Sequence, residues 1–321
     1  MLTVNNTTDS LPKQKEIAVI IPAKDEAKNL PLLIQLFSEV IQEHPEQFEV
    51  LVIDDGSVDE TPNVLESLKS QYPFLRSLRQ RKSMGIANAL RLGYQESNAK
   101  ILVFYPADLQ FNPLDLPSLV QPIIEGRSDI VTGFKKGKYQ KAFVSTVYNK
   151  LSKRLFKLPV RDLNNVKAYR REIMETQPDR PDWHRYMVAV AVNDGFTVSE
   201  VPIPLYPRHE GQSKFGISRI PKGIFDMIAV WFELKHSQKP LLAFGVLGAC
   251  MFFLATLFGF MLLISGQGTR PFWAIIQTSL SIGTLFFVTG ILGEQIAALR
   301  AEQRELKRMI DGISQHKNTT E

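Results

Sequence analysis

Hydrophobic and polar positions repeat along this chain at two periods. Ile17–Ile21, Val50–Ile53 and Ile101–Tyr105 are short apolar runs, and Ile130–Gly133 is a fourth, less pure one. Unbroken runs of this length suit strands buried on both faces of a parallel sheet. Between them apolar residues recur at helical spacing. Asn29 to Glu43 carries Leu32, Leu33, Leu36, Phe37 and Val40, Thr61 to Gln71 reads as a second helix, and Met84 to Leu90 opens a third. Strands that alternate with helices predict a doubly wound, mostly parallel sheet.

The pattern changes near Pro240. Leu241 to Ile264 and Phe272 to Gly293 contain no charged residue. Each run exceeds the ~20 residues that cross a bilayer. The connection between them is short and carries only Arg270, so the pair reads as a transmembrane hairpin. Lys222, Lys235 and Lys239 precede it, and Arg300, Arg304, Lys307 and Arg308 follow. The positive-inside rule then puts both flanks in the cytoplasm. The expectation is an integral protein of the cell inner membrane with both termini cytoplasmic. Ahead of the hairpin, Phe225, Ile228 and Trp231 recur at helical spacing among Lys and Arg, as in a helix lying at a membrane interface. Glu294 to Ile313 reads as a charged helix whose Ile296, Leu299, Leu306 and Ile310 are spaced for a partner, which leaves a homo-oligomer open.

Composition narrows the classes. The 321 residues carry a formal charge of +5, which favours an anionic partner: a phosphorylated substrate, an anionic membrane or nucleic acid. The basic residues gather at the membrane flanks and in loops, without a nucleic-acid motif, so no nucleic acid is expected. Cys250 is the one cysteine, so neither an internal disulfide nor a cysteine-based zinc site is available. Residues 1–16 are polar and lack the apolar core of a secretory signal, so they read as a disordered tail.

The chemistry-bearing residues follow the strands. Glu26 follows the first, Asp54 and Asp55 the second, Asp108 and Gln110 the strand Ile101–Tyr105. In a parallel sheet these ends share one edge, where ligands bind. A carboxylate there can hold a hard divalent cation, and the cation substrate phosphates. Neither G-x-G-x-x-G after the first strand nor G-x-x-x-x-G-K-[ST] occurs, which disfavours dinucleotide oxidoreductases and P-loop NTPases.

Ile20–Glu26, Val52–Ser57 and Ala107–Gln110, with Asp162–Arg171 and Arg208–Lys214, resemble the GT-A glycosyltransferases of family 2. Within that family the chain is most similar to dolichol- and polyprenyl-phosphate sugar synthases. The resemblance implies a GT-A domain over 17–214, an interfacial helix region over 215–239, transmembrane helices 241–264 and 272–293, and a charged cytoplasmic segment over 294–321. It implies a nucleotide sugar and a polyprenyl phosphate as substrates, with Mg²⁺ or Mn²⁺. It places Pro22, Ala23, Lys24, Glu26 and Ala107 around the nucleotide, and Asp55 on the base, whose N–H donors a carboxylate can accept. Asp54 reads instead as turn chemistry. Asp108 and Gln110 would hold the metal with the donor diphosphate. By position, Lys135 and Lys141, with Ser145, resemble the positions that hold the lipid phosphate. Arg208, Ser213 and Lys214 resemble a mobile phosphate-binding loop, and Lys82 and Arg91 are lesser candidates. One departure stands out. The family shows Asp-x-Asp where this chain has Pro106–Ala107–Asp108.

A lipid monophosphate is largely a dianion at neutral pH and attacks without a general base. One displacement would invert the anomeric carbon. The alternatives are transfer to a lipid or glycan hydroxyl, with Asp182 as base unless it caps the helix starting near Trp183, and a non-catalytic nucleotide-sugar binder, suggested by Pro106.

Overall fold

The computed structural model describes residues 15–43, 47–136, 151–161, 165–178, 180–207, 219–237, 239–265 and 270–318. The chain divides into two compact units, Met1–Ile224 and Phe225–Glu321.

The first unit is built on a seven-stranded mixed sheet. Its strands are β1 (Ile17–Ala23), β2 (Phe48–Asp54), β3 (Leu75–Arg79), β4 (Ile101–Phe104), β5 (Ile130–Lys136), β6 (Lys167–Arg170) and β7 (Val198–Pro204), in the order β3-β2-β1-β4-β6-β5-β7. β1 runs parallel to β2 and β4, and β3 parallel to β2. β6 runs antiparallel to both β4 and β5, and β7 parallel to β5. The apolar runs become the central strands: every residue of β2 and β4 is buried.

Helices cover both faces. α1 (Leu30–Gln42) begins with a proline in its first turn, where the missing N–H costs nothing. With α4 (Leu116–Ile124) it packs on the face carrying Val19, Ile21, Val52, Val103 and Tyr105, around Phe37 and Leu119. α2 (Thr61–Gln71) precedes β3. α3 (Ile86–Glu96) lies on β1 and β2 so closely that a Cβ on Gly93 would stand 2.5 Å from Ile20. α5 (Glu172–Thr176), a 3-10 turn at Trp183–Arg185 and α6 (Met187–Asn193) lie farther along the unit. α7 (Arg219–His236) follows.

The second unit holds α8 (Pro240–Ser265) and α9 (Arg270–Asn318), both long and apolar enough to cross a membrane. They pack antiparallel. Phe244 stacks on Phe286 and Phe258 meets Phe272. A Cβ on Gly248 would stand 3.0 Å from the Gly283 oxygen. Glu294 on α9 accepts a hydrogen bond from the Leu241 N–H at 3.3 Å, so an acid caps the start of the neighbouring helix, where the helix dipole favours it. The charged segment read as a separate helix continues α9 without a break: the helix has 49 residues.

Candidate active site

The carboxyl ends of β2, β1 and β4 lie side by side, because β1 pairs in parallel with both neighbours. The turns after them therefore meet, bringing Lys24–Glu26, Asp54–Ser57 and Pro106–Gln110 to one edge.

The first two turns are laced together. The Asp25 N–H donates to Ser57 Oγ and its carboxylate accepts from the Val58 N–H, both at 2.9 Å. The Glu26 N–H donates to Thr61 Oγ1 at 2.9 Å, and its carboxylate accepts from Asn29. Asp54, 1 % exposed, accepts from the Ser57 N–H at 2.8 Å. Its other oxygen makes an ion contact with Arg79 at 3.3 Å, without hydrogen-bond alignment. Asp54 is thus the turn residue that Asp-Gly chemistry suggests. Pro22, Lys24 and Glu26 are half-buried at this edge, and Ala23 is buried.

Asp55 is buried too, and its carboxylate is already occupied. It accepts from the N–H of Met84 at 2.6 Å, from the Gly85 N–H at 3.0 Å and from Ser83 Oγ at 2.8 Å. The segment entering α3 is therefore wired to the second strand end. Gly56 explains how it fits: its φ is +67°, and a Cβ there would lie 2.8 Å from the Lys82 backbone. Ser83–Gly85 and Thr61 were not among the candidates. A serine and a glycine just ahead of a helix are the signal that could have drawn attention to them. Lys82 and Arg91 line an open cleft with Arg79, Arg81 and Asn88.

The turn after β4 carries the metal candidates. Pro106, Asp108 and Gln110 are half-buried, while Ala107 and Leu109 are buried. Leu109 sits at φ +55°, a left-handed conformation that is a genuine outlier for a bulky residue. It keeps the Leu109 side chain in the core while Asp108 and Gln110 flank it. The Asp108 carboxylate accepts from the Gln110 N–H at 3.3 Å, and the Gln110 oxygen accepts from the Tyr206 N–H at 2.9 Å. Asp25 and Asp182 are also left-handed. Such strain gathers at functional sites.

The fit of this turn to a divalent cation can be tested on its donors. Among the described residues no three His, Cys, Asp or Glu converge on one point. A closed cage of such ligands is therefore not available among the described residues. One half-exposed carboxylate with a neighbouring amide does suit a hard cation that keeps waters and takes its remaining ligands from a diphosphate.

Other candidates lie apart or outside the description. Lys135 is on β5, in register with Ile203 of β7, and only its backbone is described. Lys141, Ser145, Arg208, Ser213 and Lys214 lie outside the described residues. Asp182 does not cap the following turn: it is left-handed, makes no cap hydrogen bond and faces Arg185 at 3.9 Å. His184, 8 % exposed, stands edge-on to Phe104. Burial above all, then Lys167 and Arg185, hold its pKa down to about 3, so its ring is neutral.

A mixed seven-stranded sheet with its acids at the carboxyl ends defines a GT-A glycosyltransferase domain. Residues 18–176 match the family model described as glycosyl transferase family 2, so the chain carries a domain of that family. It is a glycosyltransferase. It is 26 % identical over 308 residues to dodecaprenyl-phosphate galacturonate synthase of Rhizobium johnstonii, covering 92 % of this chain and 91 % of that one. It is 24 % identical over 309 residues to undecaprenyl-phosphate 4-deoxy-4-formamido-L-arabinose transferase of Klebsiella pneumoniae, covering 92 % and 93 %. Among solved structures it resembles glucosyl-3-phosphoglycerate synthase from Mycobacterium tuberculosis in complex with Mn²⁺, UDP and phosphoglyceric acid. That match has a TM-score of 0.56 and 19 % identity, over 68 % of this chain and 78 % of that one. The same enzyme with Mg²⁺ and UDP gives a TM-score of 0.55 at 18 % identity, over 68 % and 79 %. At these identities the two structures speak for the fold.

Proposed function

We propose that this chain transfers one sugar from a nucleotide sugar to a polyprenyl phosphate at the cytoplasmic face of a membrane, with inversion at the anomeric carbon. The observation that carries the reading is the meeting of the Lys24–Glu26, Asp54–Ser57 and Pro106–Gln110 turns at one sheet edge, in a chain that also holds two helices long enough to span a bilayer. Relatives named for polyprenyl-phosphate substrates, matched over nine-tenths of the chain, support it.

Residues 17–214 form the catalytic domain in this reading, 215–239 meet the interface, 240–293 span the bilayer and 294–321 return to the cytoplasm. Pro22, Ala23, Lys24, Glu26 and Ala107 line the nucleotide. Asp55 stands beside the base, and its bonds to Ser83–Gly85 hold the wall of that pocket. Asp108 with Gln110 holds Mg²⁺ or Mn²⁺, which when bound neutralises charge on the departing diphosphate. Lys135, Lys141 and Ser145 screen and orient the acceptor phosphate, as lysine charges can without the bidentate fork of arginine. Arg208, Ser213 and Lys214 close over the donor. The acceptor is already an anion, so alignment replaces proton abstraction. Asp182, turned to Arg185, weighs against a hydroxyl acceptor with Asp182 as base.

The test is product formation. Purified full-length protein is incubated with Mn²⁺, undecaprenyl phosphate and a panel of UDP- and GDP-sugars, and sugar-phospholipid is sought by mass spectrometry. A product absent with Asp108→Ala is expected. Intact donor binding with no lipid product from any donor would refute the acceptor assignment.

A further inference from the structure

At the base of the Asp108 turn, between Tyr105 and the Phe111–Asp115 segment, lies a small cavity. Tyr105, Phe111, Asn112, Asp115, Val166 and Ile203 are among its walls, and the space open to the centre of a water molecule is about 10 Å³. One water needs roughly 10–15 Å³ measured this way. Two polar atoms in the wall are buried without a hydrogen-bond partner in the protein: Tyr105 Oη and Asp115 Oδ2. Leaving such atoms unsatisfied costs about 1–3 kcal/mol each, so buried polar groups of this kind are normally joined by protein or water.

Both residues have fixed places. The Tyr105 ring meets Phe37 edge-on at 5.0 Å, and its N–H donates to the Ile20 oxygen at 3.0 Å. The Asp115 N–H donates to the Asn112 oxygen at 3.0 Å, and Asn112 Oδ1 accepts from the Leu114 N–H. Tyr105 directly follows β4 and Asp115 precedes α4. Asp108, Leu109 and Gln110 lie on the chain between them. Burial, with the nearby Asp115 and Asp108 carboxylates, keeps the Tyr105 hydroxyl protonated, so it is a donor.

We propose that one ordered water fills this cavity, accepting from Tyr105 Oη and donating to Asp115 Oδ2, and that this bridge ties the two ends of the turn and makes Tyr105 and Asp115 positioning residues for Asp108. The idea rests on the reading of Asp108 as the metal-holding carboxylate. The bridge closes a loop of about ten residues at its base. It limits how far Asp108 can wander, with no contact between either residue and the substrates. A carboxylate alone in its turn depends on such support more than a member of an acid pair does.

Two experiments separate the parts. An experimental structure of the full chain, at a resolution that shows waters, should hold one water within hydrogen-bond distance of both atoms. A dry cavity overturns the bridge. Separately, Mn²⁺ affinity in the presence of UDP is measured by electron paramagnetic resonance for the wild type, Tyr105→Phe, Asp115→Asn and the double variant. Each single variant should weaken Mn²⁺ about tenfold, the loss typical of a supporting residue behind a metal ligand. The double variant should lose no more than either single one, since all act through the same water. Unchanged Mn²⁺ affinity with a lowered melting temperature would make the water merely structural and overturn the positioning role. Should the wild type itself bind no Mn²⁺, the metal reading of Asp108 and the positioning role fail together, while the hydrated cavity is decided by the structure alone.

Discussion

His184 offers the sharpest test of the energetics around the sheet edge. Its ring is buried, and burial, Lys167 and Arg185 together depress its pKa from 6.5 to about 3. In the unfolded chain the ring takes up a proton near the ordinary value of ~6.5. Between these values the unfolded state therefore binds one proton more than the folded state. Stability falls as pH is lowered through this window, and the contribution is whole above pH ~6.5. Each unit is worth about 1.4 kcal/mol, so the full window is on the order of 5 kcal/mol and the part between pH 6.5 and 4.5 about 2.7 kcal/mol. The perturbation is His184→Leu, which removes the titrating ring and its unpartnered Nδ1 at similar volume. Urea unfolding of detergent-solubilised wild type and variant from pH 8 to 4.5 gives the comparison. At pH 8 the two should lie within about 1.5 kcal/mol, a common cost of a volume-conserving swap. By pH 4.5 the wild type should have lost about 2.7 kcal/mol more than the variant, because acid effects of the carboxylates are common to both curves and cancel. Parallel curves would refute the reasoning, as would a His184 ring that titrates near 6.5 by NMR.

Other outcomes follow from the same geometry. Chelation with EDTA should abolish transfer and Mn²⁺ should restore it. Asp108→Ala should lower kcat at least a hundredfold with far-ultraviolet circular dichroism unchanged, as expected of a group acting at the departing diphosphate. Gly56→Ala meets both a left-handed φ and the Lys82 backbone 2.8 Å away, so it should cost about 1–3 kcal/mol and raise the donor KM by loosening the Asp55–Ser83 link. Denaturant melts and donor titrations read both effects. Glu294→Ala removes the cap on Leu241 and should lower the melting temperature of the purified hairpin-containing protein by an amount equivalent to about 1 kcal/mol, with donor affinity unaltered.

Much of the architecture is legible from the chain because the central strands are buried on both faces and so read as solid apolar runs. β1, β2 and β4 sit where those runs lie, each within about two residues. β3 escaped, since Leu75–Arg79 is an edge strand with one buried residue and two arginines. The reversed direction of β6 also left no mark: pairing direction depends on partners far along the chain, here Ile101 with Arg170. In α9 the change from apolar to charged residues reads like an end, yet the backbone runs on through it as one helix. Within the site, Glu26, Asp55 and Asp108 were found as acids at strand ends. What holds Asp55, a serine and two main-chain N–H groups some thirty residues on, is marked locally only by the serine and glycine ahead of α3, and their pairing with Asp55 depends on the fold.

The unbroken α9 has a mechanical meaning. At 1.5 Å per residue its 49 residues make a rod of about 73 Å, and the 25 from Glu294 to Asn318 extend about 37 Å beyond the apolar part. Spanning helices tilt by ~20° on average and adjust that tilt to bilayer thickness. A stiff rod passes such a change on as leverage: a tilt of about 10° swings its far end sideways by about 6 Å. With a loop at Gly293 the motion would be lost at the surface. In the proposed placement, with α9 across the bilayer, continuous helix turns membrane thickness into a displacement legible some tens of ångströms away.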